Sequence, residues 1–195
     1  MLSKLFNKEY PEFWKKYTDS FKNPATKYVV LSMETSGLDT EKDVIMSIAA
    51  TSVIDNRIIL KDSFEIFIQH KKHTEIDIDN EFISVSKVEK VFENIAIETL
   101  LNYLNNSILI GHRIDFDIEM LNEALSRLKL GKIRNEAFDI EAMFNKIMET
   151  NEKKYSLEEM SKALKINLSE RNSVADDTYS IALLFLKMKD KLGIK

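Results

Sequence analysis

The first part of the chain carries an apolar stripe with the period of an α-helix. Over residues 9–22 the positions i, i+3, i+4, i+7 and i+11 are filled by Tyr10, Phe13, Trp14, Tyr17 and Phe21. Asn23-Pro24 ends this pattern, because proline disfavours a helical conformation in the residue before it. The stripe predicts either a helix that packs on its own domain or an aromatic contact face for a protein partner, since aromatic residues are enriched in interface cores.

Three apolar segments with the character of β-strands follow this helix. They cover residues 28–33, 44–54 and 58–69, and the polar sequence Asp55-Asn56-Arg57 predicts a tight hairpin turn between the last two. In the third segment, polar residues alternate with Phe64, Ile66 and Ile68. This alternation predicts a strand with one buried face and one solvated face.

The remainder of the chain alternates between helical patterns and a short apolar strand. Predicted helices cover residues 96–104, 117–130, 138–148, 156–164 and 176–192, and a buried strand covers residues 108–110. Ser156 and Glu159 have the spacing of an N-terminal capping box. The order of elements predicts an α/β fold with a mixed sheet, antiparallel in its first strands and flanked by helices. We expect an N-terminal amphipathic helix in residues 1–25 and one domain in residues 26–195.

Composition places the chain among soluble globular proteins. Its 195 residues are 44% hydrophobic and 31% charged, which suffices for one buried core. Neither a membrane-spanning run nor the apolar part of a secretion signal is recognisable, so we expect a cytoplasmic protein with no membrane contact. The net charge of −4 means that any basic surface for nucleic acid must be local.

The most informative acidic residue is Glu34, which follows the first predicted strand. Residues i and i+2 of a strand point to the same face, so acids at positions 32 and 34 would hold one hard cation together. Mg²⁺ prefers such oxygen ligands. Position 32 is a serine in this chain, and Glu34 therefore stands alone on its strand.

Two further acidic positions follow later elements. Asp117 lies where the strand at 108–110 passes into a helix, where it would cap that helix or point into a cleft. Asp176 and Asp177 open the last helix, where the helix dipole favours acids. We expect Asp177 to lie on the inward face with Ile181, and Asp176 to lie nearer the solvent. A buried acid needs a hydrogen-bond network or a metal as its partner.

Taken in order, these segments resemble the motifs of the DEDD family of 3′–5′ exonucleases, in the histidine-bearing branch that includes the proofreading epsilon subunit of bacterial DNA polymerase III. The motif Asp-x-Glu-Thr-Thr-Gly-Leu resembles residues 32–38, and Gly-His-Asn-x-x-Phe-Asp resembles residues 111–117. The motif His-x-Ala-x-x-Asp resembles residues 172–177. Asp139 and Ser156-Leu157 also match intervening positions of the family. Residues 26–195 would then be an exonuclease-like domain.

The resemblance implies an RNase H-like fold and a two-metal hydrolysis of the terminal phosphodiester of a strand. It places the catalytic positions at Ser32, Glu34, Asp117, Asn172 and Asp177. It places the metal ligands at Glu34, Asp117 and Asp177. It places the substrate contacts at Thr35, Gly37, Leu38, His112, Arg113 and Phe116. A second register of the last motif would put Arg171 at the histidine position and use Asp176 as the acid.

This chain departs from the family at two catalytic positions. Ser32 replaces the aspartate that would bridge both ions, so that a neutral hydroxyl stands where a negative charge is expected. Asn172 replaces the histidine that would act as general base, a role worth ~10²–10⁴-fold in rate. An amide cannot accept a proton from water near neutral pH. We therefore expect Mg²⁺ or Mn²⁺ to bind weakly or as a single ion, and we leave open whether the protein is an enzyme.

Three hypotheses of function follow from these departures. The first, which we favour, is a hydrolytically impaired exonuclease fold that binds the 3′ end of a single-stranded DNA or RNA, or a protein partner. The second is an active metal-dependent 3′–5′ exonuclease whose site has been rebuilt, with the missing acid supplied by Asp43, Asp115 or Asp176. The third is a protein-interaction module that uses the N-terminal aromatic helix.

Overall fold

A computed structural model describes residues 9–70, 89–168 and 173–194. The strands in this part of the chain are β1 (Tyr28–Thr35), β2 (Ile45–Ile54), β3 (Arg57–Gln69), β4 (Lys90–Phe92), β5 (Ile108–Gly111) and β6 (Ala137–Asp139). The helices are α1 (Glu12–Ser20), α2 (Glu93–Leu104), α3 (Ile114–Arg127), α4 (Ile140–Met148), α5 (Leu157–Leu164) and α6 (Val174–Leu192). None of these helices is both long enough and apolar enough to cross a membrane.

The described strands form one mixed sheet with the order β4-β3-β2-β1-β5-β6. β2 is antiparallel to both of its neighbours, whereas β1 pairs with β5, and β5 with β6, in parallel. The carboxyl ends of β1, β5 and β6 therefore lie along one edge of the sheet. In α/β sheets, ligands bind in the crevice outside the carboxyl ends of parallel strands.

Helices cover both faces of the sheet, as the sequence predicts. Val29 and Leu31 of β1 belong to a core shared with α1, α2 and α3, while Val30 belongs to a second core formed with α4, α5 and α6. Since side chains alternate along a strand, Ser32 and Glu34 share the face of Val30. They therefore lie on the side of the sheet that α6 covers.

The aromatic stripe of α1 is a packing surface within the domain. Trp14 and Tyr17 are only 5% and 1% exposed, within the core formed with α2 and α3. The Tyr17 hydroxyl donates to Asn135 Oδ1 at 2.7 Å and accepts from the Arg134 N–H at 2.8 Å. This arrangement does not support the expectation of a protein partner at the N-terminal helix, and the third hypothesis loses its contact surface.

Element boundaries differ from the predictions in ways that matter for the site. The segment at 138–148, predicted as one helix, contains the end of β6 before α4 begins at Ile140. α3 begins at Ile114, three residues before its predicted start, so that Asp117 lies inside the first turn and caps nothing. The predicted capping box of Ser156 and Glu159 is present at α5.

Candidate active site

β1 brings Ser32 and Glu34 to the edge of the sheet, beneath the first turn of α6. Glu34 lies opposite Ser47 of β2, whose hydroxyl donates to Glu34 Oε2 at 3.4 Å. Ser32 and Glu34 are both half-buried, so they are accessible to a ligand from this end of the sheet. Ser32 lies opposite Ala49, so its immediate neighbour on β2 supplies no charge.

The loop after β1 is closed by Asp43. Its carboxylate accepts from Ser36 Oγ and from the Asp39 N–H, both at 2.8 Å. A Cβ at Gly37 would come within 2.5 Å of Asp43 Oδ2, so any larger residue there would displace this carboxylate. Asp43 thus holds the loop in shape, and the side chain of Leu38 projects from it with 85% exposure.

Glu65 is a site acid that the sequence interpretation missed. Ala49 pairs with Ser32 on one side and with Glu65 of β3 on the other, so the three residues form one row across the sheet. Two strand spacings separate Glu65 from Ser32 at the backbone, roughly 10 Å. The alternation in β3 was interpreted as a solvated polar face, but α6 covers that face near its first turn.

Glu65 interacts electrostatically with an acid of β1 and an acid of α6. Burial raises the pKa of Glu65, hydrogen bonds from the Ala175 and Val174 N–H groups lower it, and the charges of Glu34 and Asp176 raise it again. The net pKa is above the ordinary value for glutamate. Glu65 therefore binds the amino-terminal end of α6 and lies near both other carboxylates.

The amino-terminal turn of α6 is fixed by hydroxyl groups. Ser173 Oγ accepts from the Asp176 N–H at 3.1 Å, and Thr178 Oγ1 lies 2.9 Å from Thr51 Oγ1 of β2. Asp176 and Asp177 are both half-buried, so burial does not separate them as the sequence interpretation expected. Asn172, at the predicted general-base position, lies outside the described residues.

Asp117 lies in the first turn of α3 and is 8% exposed. Burial raises the pKa of Asp117 well above its ordinary value, and the nearby charge of Asp139 adds to the rise. The Asp139 carboxylate is itself saturated, because it accepts from the N–H groups of Ile114 at 2.9 Å, Glu141 at 2.7 Å and Ala142 at 3.1 Å. Asp139 thus ties the start of α3 to the start of α4.

The predicted substrate contacts His112 and Arg113 face α4 and the chain that precedes α5. A ring nitrogen of His112 lies 2.9 Å from the carbonyl oxygen of Tyr155, and Arg113 lies 3.5 Å from Glu141. Burial would raise the pKa of Glu141, but the Tyr155 N–H, Arg113 and Lys154 outweigh it and lower the pKa. Arg113 has a left-handed backbone with φ of 60°, where the resembling motif has the better-suited asparagine.

The family resemblance implies a pair of divalent ions, and the residues present do not fit such a pair. In the described part of the chain, no three His, Cys, Asp or Glu side chains are grouped so that they could hold a metal ion. Ser32 contributes no charge.

Comparison with known proteins supports the predicted family. A family model described as Exonuclease (RNase_T) matches residues 29–185. The PolC-type DNA polymerase III of Staphylococcus haemolyticus is 28% identical over 184 residues, covering 91% of this chain and 12% of the relative. The PolC-type enzyme of Latilactobacillus sakei is 26% identical over 171 residues, covering 85% and 11%. The chain thus spans about an eighth of the length of these relatives.

Solved exonuclease structures share the fold. E. coli exonuclease I, in a zinc-bound complex with single-stranded DNA, aligns with a TM-score of 0.69 and 14% identity, over 86% of this chain and 41% of that chain. Exonuclease X, in complex with 5′ overhanging duplex DNA, aligns with a TM-score of 0.61 and 17% identity, over 86% and 94%. At these identities the likeness establishes the fold, and the predicted RNase H-like architecture is confirmed.

Proposed function

This chain belongs to the RNase_T exonuclease family, of the DEDD 3′–5′ type, and we propose that it binds the 3′ end of a single-stranded nucleic acid while hydrolysing it slowly or not at all. The observation that carries the proposal is Ser32, a neutral side chain two residues before Glu34 and on the same face of β1.

Electrostatics explains why one missing acid matters so much. At an effective dielectric constant of ~20, a carboxylate attracts each unit of cation charge by ~4 kcal/mol at about 4 Å. A tenfold change in affinity corresponds to only about 1.4 kcal/mol. Two dications next to each other repel, and an acid between them is the group that offsets this repulsion. Without it, we expect at most one weakly bound ion.

Retained strand binding is supported by surface side chains beside the same edge. Leu38 is 85% exposed on the loop after β1, and Phe116 is half-buried in the first turn of α3. Apolar and aromatic surfaces of this kind stack against bases without reading sequence. Exonuclease I and exonuclease X have been crystallised with single-stranded DNA and with overhanging duplex DNA, which makes a strand end the natural ligand class for this chain.

The proposal is tested with labelled single-stranded DNA and RNA in Mg²⁺ and in Mn²⁺. We expect wild-type protein to shift both strands in a binding assay and to leave their length unchanged. The double substitution Ser32→Asp with Asn172→His restores both missing groups and is expected to produce 3′ trimming. Asn102→Asp with Asn172→His adds the same charge on the exposed surface of α2 and is expected to produce none.

Two results would contradict this proposal. One is metal-dependent trimming by the wild type that disappears in Glu34→Ala. The other is the absence of any strand binding by a folded wild-type protein.

Glu65 favours a second candidate function, an active exonuclease with a rebuilt site. It supplies an extra acid in the same row of the sheet as Ser32, and its pKa responds to Glu34 and Asp176. If this candidate holds, Glu65→Gln abolishes the trimming seen in Mn²⁺. Glu119→Gln, which removes the same charge from the exposed side of α3, leaves the trimming intact. Absence of trimming in the wild type would eliminate this candidate.

A further inference from the structure

A groove of about 810 Å³ opens beside the candidate active site. It lies between the first turn of α3, the outer side of α4 and the loop of residues 149–154, and we call it the α3–α4 groove. Its floor is at the carboxyl ends of β5 and β6, where Arg113 comes after β5 and Asp139 is the last residue of β6. The residues assigned to the exonuclease motifs account for only part of its lining.

Four cationic side chains line the α3–α4 groove. They are Arg113, Lys146, Lys153 and Lys154, all exposed to solvent. This is the kind of local basic surface that a chain with a net charge of −4 needs if it is to hold a polyanion. Phe116 lies in the same lining and adds an aromatic surface.

The two acids deepest in the groove are hydrogen-bonded to backbone N–H groups of the protein. Asp139 accepts three backbone N–H groups at the starts of α3 and α4. Glu141 is 5% exposed and accepts from the Tyr155 N–H at 2.7 Å. The lining as a whole carries four cations and four acids, but of the acids only Asp115 and Glu152 are exposed, so four exposed cations face two exposed acids.

The groove cations present their charge to the solvent. Arg113 and Lys154 lie 3.5 and 3.4 Å from Glu141, and their side chains are 54% and 76% exposed, whereas that of Glu141 is 7% exposed. A phosphate in the groove therefore meets the cationic side of these ion pairs and contacts it without breaking them.

We propose that the α3–α4 groove binds the phosphodiester backbone of a single strand whose 3′ end lies at the Ser32–Glu34 edge. The inference rests on the proposed function and extends it by adding a second contact region. β1 and β6 are two strand spacings apart, roughly 10 Å, so one strand running along the sheet edge reaches both places. The ligand is recognised by phosphate charge and base stacking, which single-stranded DNA and RNA share.

The test compares short and long strands bound by two charge-matched variants. The first variant, Lys146→Gln with Lys153→Gln and Lys154→Gln, removes three groove cations. The second, Lys15→Gln with Lys16→Gln and Lys22→Gln, removes three exposed cations from α1 and the turn that follows it, and we call it the α1 variant. Fluorescence anisotropy measures the affinity of the full-length variants for dinucleotides and for DNA and RNA strands of about twelve nucleotides. Thermal unfolding checks that each variant is folded.

We expect the groove variant to bind the long strands about tenfold more weakly at about 50 mM salt, and its salt dependence to flatten by about 0.7 per lost phosphate contact. The groove variant should bind dinucleotides as tightly as the wild type does, and the α1 variant should bind all of these strands as the wild type does.

Long-strand affinity that is unchanged in the groove variant, or equally reduced in the α1 variant, overturns the groove assignment while the proposed function stands. A folded wild type that binds no strand overturns both. Tighter binding of an acidic peptide than of either strand would assign the groove to a protein ligand and overturn this proposal.

Discussion

Asp117 is deeply buried and has a second acid nearby. Its contribution to the free energy of unfolding therefore depends on pH. Its folded-state pKa is raised, so the folded protein keeps a proton that the unfolded chain releases. Stability therefore falls as pH rises from about 4 toward the folded-state pKa. Asp117→Asn removes this titration, and we expect the variant to be about 1–3 kcal/mol more stable than the wild type at neutral pH.

The measurement is urea unfolding of both proteins from about pH 4, near the pKa of an aspartate in the unfolded chain, up to about pH 8. The advantage of the variant should shrink toward the acidic end. Asp115→Asn removes an exposed acid from the same helical turn and is the matched control for the loss of one carboxylate. An Asp117→Asn variant that is less stable than the wild type throughout the range would contradict the assigned environment.

At the level of single residues, the sequence identified the acid near the end of strand β1 and the acids that open helix α6, but it missed Glu65. Alternation along β3 shows correctly that Glu65 points to the opposite face of the strand from Phe64 and Ile66. It cannot show that α6, more than a hundred residues later, covers that face. The sequence did not predict the left-handed backbone of Arg113 either, because arginine is not a residue type that favours this conformation.

Asp139 acts at the scale of elements, because one carboxylate accepts the first N–H groups of two helices. Losing a single capping side chain costs roughly 0.5–2 kcal/mol. We expect Asp139→Ala to lower the free energy of unfolding by about 1–4 kcal/mol, as two caps are lost together. Ser156→Ala removes the one cap of α5 and is expected to cost about 1 kcal/mol.

Chemical denaturation measures how much unfolding free energy each of the two variants loses. Equal losses for Asp139→Ala and Ser156→Ala would contradict the double role of Asp139. Asp139→Asn keeps one acceptor oxygen and should fall between the wild type and the alanine variant.

The sequence predicted long elements better than short ones. The hydrophobic periods located α1, α5, α6 and the first three strands, because each extends over two turns or several alternations. β4 and β6 have three residues each, too few to show a period, and their pairing depends on neighbours distant in the chain. α3 begins earlier than predicted because Arg113, in a left-handed conformation, turns the chain so that the helix starts at Ile114, shortly after β5.

Across the whole molecule, the mixed sheet and its helical layers followed from the order of elements, but the strand order did not. β1 lies at the centre of the sheet although it comes first in the chain. Its position next to β5 results from a parallel pairing across eighty residues, which no local pattern encodes. That pairing is what brings the loop after β1 alongside Asp117 and the α3–α4 groove.

Metal binding stabilises the folded state of the whole protein, so unfolding of the intact chain measures how well the site holds ions. A ligand present at about 100 times its Kd adds ~2.7 kcal/mol to the free energy of unfolding. For a chain of this size, this raises the Tm by roughly 5–11 °C, at 2–4 °C per kcal/mol.

We expect ~10 mM Mg²⁺ or Mn²⁺ to raise the Tm of the wild type by less than ~2 °C, because Ser32 leaves the paired ions without a shared acid. Ser32→Asp should increase the rise, and Glu34→Gln in that background should remove it again. Chelation of metal from the wild type should change its Tm just as little. A rise of ~5 °C or more in the wild type would mean that Glu65 or another acid replaces the missing carboxylate, and that the site holds its ions in full.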